Sequence, residues 1–323
     1  MKQLGLLRWG WGLCLLWAGG LAWAQNYPVK PIKVIVGYAA GGAVDIVART
    51  VGQSLSSSMG QAVVVENKPG AGTNIAVKSV IAADPDGYTL MLAANALAAN
   101  MALYKPAPFD AERDLVPVSL IGRVPVVIAT GAQSGIQSLP KLLEMSKGRS
   151  VPLSFASPGN GSTPHMAVEL FARAAGISLQ HVPYRGGTPA ITDTIGGQVP
   201  LVAVNALEVL PHARSGKLKV LAVLSPNRTA NFPDVPTMAE SGFPGFEASV
   251  WYGLVAPAAT PKPIVQKLHA EVQRILALPD IKERLIALGA EPSAMSTTDF
   301  AQWFKSEIPA MAKIVKDGKI TVE

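Results

Sequence analysis

The stretch that leaves the fewest folds open is Lys33 to Arg49, KVIVGYAAGGAVDIVAR. Lys33–Val36 is a short β-branched apolar run and reads as a buried strand. From Ala43 onward Val44, Val47, Ala48 and Val51 recur at i, i+3, i+4, i+7, which predicts a helix. Between them lies Gly37-Tyr38-Ala39-Ala40-Gly41-Gly42. Adjacent glycines allow a tight turn and a close approach of backbone to ligand, and the amides that open a helix have no intrahelical acceptor. Such a loop is a cradle for a carboxylate or phosphate, favoured by the positive end of the helix dipole. Gly-Gly between strand and helix is also common as a plain βα turn. The spacing matches neither the dinucleotide nor the nucleoside-triphosphate fingerprint. Asp45 either caps the helix or reaches the ligand, and spacing does not choose.

A second unit of the same kind follows in the other half of the chain. Leu153–Ala156 reads as a strand, Ser157-Pro158-Gly159-Asn160-Gly161-Ser162-Thr163-Pro164-His165 as a polar glycine-rich loop, and Met166–Ala175 as a helix. Ser157, Asn160, Ser162 and Thr163 can donate to an anion or cap the helix, with Ser162 or Thr163 the natural N-cap. His165 either donates to a ligand or bonds a neighbouring carbonyl. Two such loops facing each other would close around a small anion.

Further strands are read at Val63–Asn67, Tyr88–Ala93, Val199–Val204, Lys219–Leu224 and Trp251–Pro257, alternating with helices over about Ile75–Ala83, Leu139–Lys147, Pro189–Ile195, Pro261–Leu278, Ile281–Leu288 and Thr298–Asp317. That alternation implies a mostly parallel α/β sheet with ligands at the carboxyl ends of its strands, which brings Asn95 near the first loop. Leu120–Thr130, interrupted by Pro125, reads as a crossover between two domains, and Phe232–Thr237 as the return. Tyr184 and Arg185 suit a carboxylate clamp, or Arg185 ties down its own loop. The last helices carry apolar stripes and solvated charges and are expected to pack on the first domain.

A chain of 323 residues is suited to two domains. Residues 1–24 read as a cleaved secretory leader: Lys2 and Arg8, an apolar stretch Trp9–Leu21, and Ala22-Trp23-Ala24 before Gln25. Cys14 is the one cysteine and falls in that leader, so the mature chain is expected to have no disulfide, thiol nucleophile or cysteine metal site. The net charge is +6, or +4 once Lys2 and Arg8 are removed, with no basic run, which argues against nucleic acid. No later stretch is apolar and long enough to span a bilayer, so a soluble product is expected. GxSxG, HExxH and P-loop patterns are absent and there are 4 histidines, so no catalytic assignment arises.

With these motifs in order, the chain resembles the periplasmic solute-binding proteins of tripartite tricarboxylate transporters, also called the Bug family. The resemblance runs through Tyr27-Pro28 to Pro31-Ile32, Gly41-Gly42 with Asp45 and Arg49, Val63–Asn67 with Pro69-Gly70-Ala71-Gly72, and Pro85–Leu90. It continues in Ser157-Pro158-Gly159 through Gly161-Ser162 to His165, His181–Gly186, Gly197-Gln198-Val199, and Asp234–Thr237 with Glu240 and Gly242. It implies a two-lobed, type II Venus-flytrap fold, each lobe a mixed, mostly parallel sheet flanked by helices. Lobe 1 would hold residues 25–125 and 226–323, lobe 2 residues 126–225. Carried over position by position, the ligand residues are Tyr38, Ala39, Gly41, Gly42 and Asp45 from the first loop and Ser157, Gly159, Asn160, Gly161, Ser162 and His165 from the second. Asn95, Tyr184, Arg185 and Asn205 form the rim. The implied function is capture of a small organic acid and its delivery to a membrane permease by a periplasmic monomer, without cofactor, metal or catalysis. The alternative is a receptor acting on a membrane sensor kinase. Two stretches depart from the family: Gly37-Tyr38-Ala39-Ala40 replaces the prolines of the usual Val-Pro-Phe-x-Pro-Gly-Gly pattern, and Pro200 stands where aspartate is common.

Overall fold

The computed structural model describes residues 27–287 and 289–321. The leader and its cleavage site lie outside the described residues. The first unit forms as read: β1 (Ile32–Val36), then α1 (Ala43–Met59), whose stripe Val44, Val47, Ala48, Val51 and Leu55 is buried. The helix stops at Gly60, which takes φ 67°, a left-handed conformation that glycine adopts without penalty. Then come β2 (Val63–Asn67), α2 (Asn74–Ile81), β3 (Thr89–Ala93), α3 (Ala96–Leu103) and the single turn α4 (Ala111–Asp114). α3 is rich in alanine and buried nearly all round, so it shows no amphipathic stripe.

β4 (Leu115–Gly131) is a strand of 17 residues. The second half follows as α5 (Leu139–Ser146), β5 (Leu153–Ser157), α6 (Thr163–Ala174), β6 (Leu179–Pro183), α7 (Gly187–Ile195), β7 (Leu201–Asn205), α8 (Ala206–Arg214) and β8 (Leu218–Val223). The chain then returns through β9 (Ser249–Pro257), α9 (Lys262–Leu276), α10 (Pro279–Ala287), β10 (Glu291–Pro292) and α11 (Thr297–Asp317).

Two sheets share β4. In the first, β1 runs parallel to β2 and β3, and β9 joins β3 to β4 residues 115–125 antiparallel. In the second, β5 runs parallel to β6 and β7, while β7 and β8 flank β4 residues 126–131 antiparallel. The result is the two-lobed mixed α/β architecture of a type II binding protein, with parallel strands confined to the outer part of each sheet. α11 packs on α3 and β4, and its Phe300 and Phe304 meet Trp251 of β9 edge-on, which seats the carboxyl end of the chain on the first sheet.

One reading of the chain path needs correction. The segment Phe232–Thr237, expected to carry the return crossing, runs beside β8 instead: Val223 N–H donates to Pro236 O and Met238 N–H to Val223 O, both at 3.1 Å. The crossing lies at Ala248–Ser249, where Ala248 N–H donates to Leu224 O at 2.8 Å and Val126 N–H to Ala248 O at 3.0 Å. Proline lacks an amide hydrogen, but its carbonyl still accepts from an edge strand, so a proline-rich segment can border a sheet.

Candidate ligand-binding cleft

The two glycine loops do face each other. A cavity between the lobes is lined by Tyr38, Gly42, Ala43 and Val44 from the first loop and α1, by Asn95 after β3, by Ser162 and Thr163 before α6, and by Gly187, Asn205 and Glu208. It encloses about 20 Å³, room for about one water molecule. The lobes are therefore closed on one another, and three hydrogen bonds join the first loop region to the second lobe. Ala39 N–H donates to Arg185 O at 2.8 Å, Thr188 Oγ1 to Ala40 O at 3.3 Å, and Ala43 N–H to Glu208 Oε1 at 3.0 Å.

The first loop turns at Gly41, whose φ of 78° suits glycine. Gly42 has φ −78°, open to any residue; what excludes a side chain there is crowding, since a Cβ would meet Glu208 Oε1 at 3.2 Å. Gly37 is held against Thr73, whose Cβ would lie 2.8 Å from an added one. Asp45 neither lines the cavity nor caps α1 from its N-cap position. Its Oδ2 accepts from Gly41 N–H at 2.9 Å, its Oδ1 from Asn67 Nδ2 at 2.9 Å, and it pairs with Arg49. Burial raises the Asp45 pKa, but the hydrogen bonds from Arg49, Gly41 and Asn67 outweigh it and leave the carboxyl below the usual range. Asp45 is thus a brace for the turn.

The second loop is closed on itself. Ser162 caps α6, accepting from His165 N–H at 3.3 Å and donating to Gly159 O at 2.7 Å. Gly159 N–H donates to Ser157 Oγ at 3.1 Å and Gly161 N–H to His165 Nδ1 at 3.2 Å. The amides expected to be free for an anion at Gly41, Gly159 and Gly161 are therefore occupied by the protein's own side chains. His165 is a buried structural residue, its ring stacked 3.8 Å from that of His181. Burial pushes His165 down to about 4, and burial with the neighbouring His165 pushes His181 down to about 3. Ser157 Oγ and His181 Nε2 lie 2.6 Å apart. That is a hydroxyl–imidazole contact, yet Ser157 is fully buried and neither residue lines an interlobe cavity.

Of the expected residues, the central cavity gathers Tyr38, Gly42, Asn95, Ser162 and Asn205. Gly159, Asn160, Tyr184 and Arg185 line a second interlobe cavity of about 330 Å³, with Tyr104 and Thr73. There Tyr184 OH donates to Asp193 Oδ2 at 2.6 Å. Ala39, Gly41, Asp45, Ser157, Gly161 and His165 support the loops from behind.

Glu208 is the central residue to which the sequence reading gives no role. Its Oε2 accepts from Asn205 N–H and Nδ2, each at 3.1 Å, while Oε1 reaches across to α1. Burial pushes its pKa above the usual carboxylate range, against the bonds from Ala43 and Asn205. Burial and then the Glu208 charge also hold the Tyr38 and Tyr252 phenols above theirs. The available signal was Asn205-Ala206-Leu207-Glu208, the spacing by which a glutamate reaches back to the amide that starts its helix.

Against known proteins, residues 47–320 match the family described as Tripartite tricarboxylate transporter family receptor. The chain belongs to this family. Protein BugT of Bordetella pertussis is 37% identical over 296 residues, 91% of each chain. The periplasmic binding protein BugD superposes with a TM-score of 0.88 at 35% identity, spanning 92% of this chain and 100% of BugD. MatC from Rhodopseudomonas palustris, solved with bound malate, gives 0.85 at 32% identity over 90% of this chain and 100% of MatC. As a member of this family the chain is a solute-binding receptor, not an enzyme. Among the described residues no helix is long and apolar enough to cross a membrane.

Proposed function

We propose that this receptor captures a small carboxylate-bearing organic acid between its two lobes and delivers it to a tripartite tricarboxylate-type permease. The observation that carries the reading is the carboxylate already seated on α1: Ala43 N–H donates to a carboxylate oxygen at 3.0 Å, across the cleft. A helix of 17 residues with free amides and a positive dipole end at that point suits a carboxylate. The malate of the similar MatC supports the same class of solute.

The receptor works as an exported monomer, its leader removed after Ala24. The lobes part, the acid takes up amides at the α1 terminus and side chains such as Asn95 and Asn205, and the liganded closed form is what the permease recognises. A charge-assisted hydrogen bond contributes roughly 1.5–3 kcal/mol, so a few of them in a closed cleft reach micromolar affinity. The test is a thermal-shift screen of residues 25–323 against mono-, di- and tricarboxylates, aromatic acids and amino acids. A saturable rise in melting temperature with acids is expected, because a solute that binds only the folded state stabilises it by mass action. Shifts confined to solutes without a carboxyl group would overturn the reading.

A further inference from the structure

Where the chain crosses between the lobes lies a third cavity, of about 350 Å³, within the roughly 300–1,000 Å³ usual for small-molecule sites. α6 of the second lobe forms one wall with Met166, and α11 of the first forms another with Trp303 and Ile314. β4 and the returning segment supply Arg123, Phe246 and Trp251. Asn95 and Thr163 line this cavity and the central one alike, so they form the partition between the two. Asn95 is fixed there, its Oδ1 accepting from Trp251 N–H at 3.0 Å.

Arg123 is half-buried, and its Cζ stands 4.8 Å from the centre of the Trp303 ring. Stacking on an aromatic face holds a guanidinium flat and leaves its N–H fork free at the edge. Among the described residues that fork has neither a hydrogen-bond acceptor nor an ion-pair partner. A permanent cation with unspent donors in a cavity suits an anion, and a carboxylate matches its geometry. Thr163 Oγ1, buried and without a partner, adds a hydroxyl to the same cavity. Two acidic residues limit which anion fits. Glu247 stands exposed at the rim, and Glu307 lies in the α11 wall, where burial pushes its pKa above the usual range against the Arg123 charge and the Trp251 indole N–H. A second negative charge on the guest would face these groups, whereas a single carboxylate is matched by Arg123. The aromatic and aliphatic side chains around them suit a hydrocarbon body.

We propose that this cavity is a second binding site, separate from the central cleft, for an apolar monocarboxylate whose carboxylate pairs with Arg123 and whose aromatic or branched body lies against Trp303, Phe246 and Met166. The site does not depend on which solute the central cleft takes. Its walls come from both lobes, so a molecule held there contacts the closed arrangement more fully than an open one and favours closure.

The experiment uses tryptophan fluorescence. Residues 25–323 contain two tryptophans, Trp251 and Trp303, and both line this cavity and neither of the other two between the lobes. The probes are phenylacetate, its neutral amide phenylacetamide, the cation benzylamine and the dicarboxylate phenylmalonate. In the wild type a saturable change is expected with phenylacetate, with the other three at least tenfold weaker. Arg123→Met keeps an apolar stem over Trp303 and removes the charge, and Ile314→Phe fills the cavity with Arg123 intact. Each is expected to weaken phenylacetate at least tenfold while keeping a native circular dichroism spectrum. Equal or tighter binding of the amide, the amine or the dicarboxylate by the wild type overturns the inference, and it needs no variant. Unchanged affinity for phenylacetate in either natively folded variant overturns it too, by placing the acid in the central cleft, and leaves the carboxylate reading above standing. No fluorescence change with any probe also overturns it and leaves that reading untouched.

Discussion

The two glycine loops that meet across the cleft spend their amides in opposite directions. In the first, Ala39 and, where α1 begins, Ala43 donate to Arg185 O and Glu208 of the other lobe. In the second, Gly159, Gly161 and His165 donate to Ser157, His165 and Ser162 of the same segment. Opening the lobes strips Ala39 and Ala43 of their partners, leaves Gly41 on Asp45, and leaves the bonds of the second loop unchanged. The first loop is therefore where closure is felt, and the second is a platform whose contribution is to stability.

The strongest test of that division is acid. His165 and His181 titrate in the folded protein near 4 and 3, below the ordinary 6.5, so between pH 6.5 and those values the unfolded chain binds protons that the folded one refuses. Stability is then lost as pH falls through that window, by about 1.4 kcal/mol per pH unit for each histidine. His181→Phe, which keeps a ring between Phe155 and His165, is expected to remove about half of that dependence in denaturant titrations at pH 7 and 4.5. An unchanged slope would break the view of the second loop as a buried histidine platform.

Next in size is Gly187→Ala. Its Cβ displaces the Glu208 carboxylate from α1, and such overpacking costs about 1–3 kcal/mol. Loss of stability together with lost solute binding is expected, and wild-type behaviour in both would show that Glu208 does not join the lobes. Asp45→Asn weakens the brace on the Gly41 turn. A loss of about 1 kcal/mol in denaturant midpoint is expected, discounted because Arg49 is half exposed, while binding falls more than stability does. Thr188→Val removes a long, exposed cross-cleft bond and is expected to cost about 0.5 kcal/mol or less, with a small rise in the dissociation rate of the solute as its finer readout.

What sequence could reveal follows the same line. The first and second strand–loop–helix units were legible because period, β-branching and the Ser162 cap are local. The amides of the loops looked available for the same reason. Their occupants are chosen by the fold, and Glu208 stands 165 positions from Ala43. α8 escaped because Pro211 interrupts its nine residues, and with it went Glu208. Arg185, read as a carboxylate clamp or a tie within its own loop, meets the first loop through its carbonyl, which accepts from Ala39 N–H, and it also lines the second cavity.

β4 has a consequence for the gene as well as for the protein. One continuous strand supplies a central member to both sheets, and β9 returns to pair with its first half. Neither half can be excised as an independent module: a cut at Pro125 leaves each sheet with strands that lack their neighbour. Recombination between relatives should therefore tolerate exchange of the second lobe only as an insertion with both crossings matched, and heat should melt the two halves as one cooperative unit.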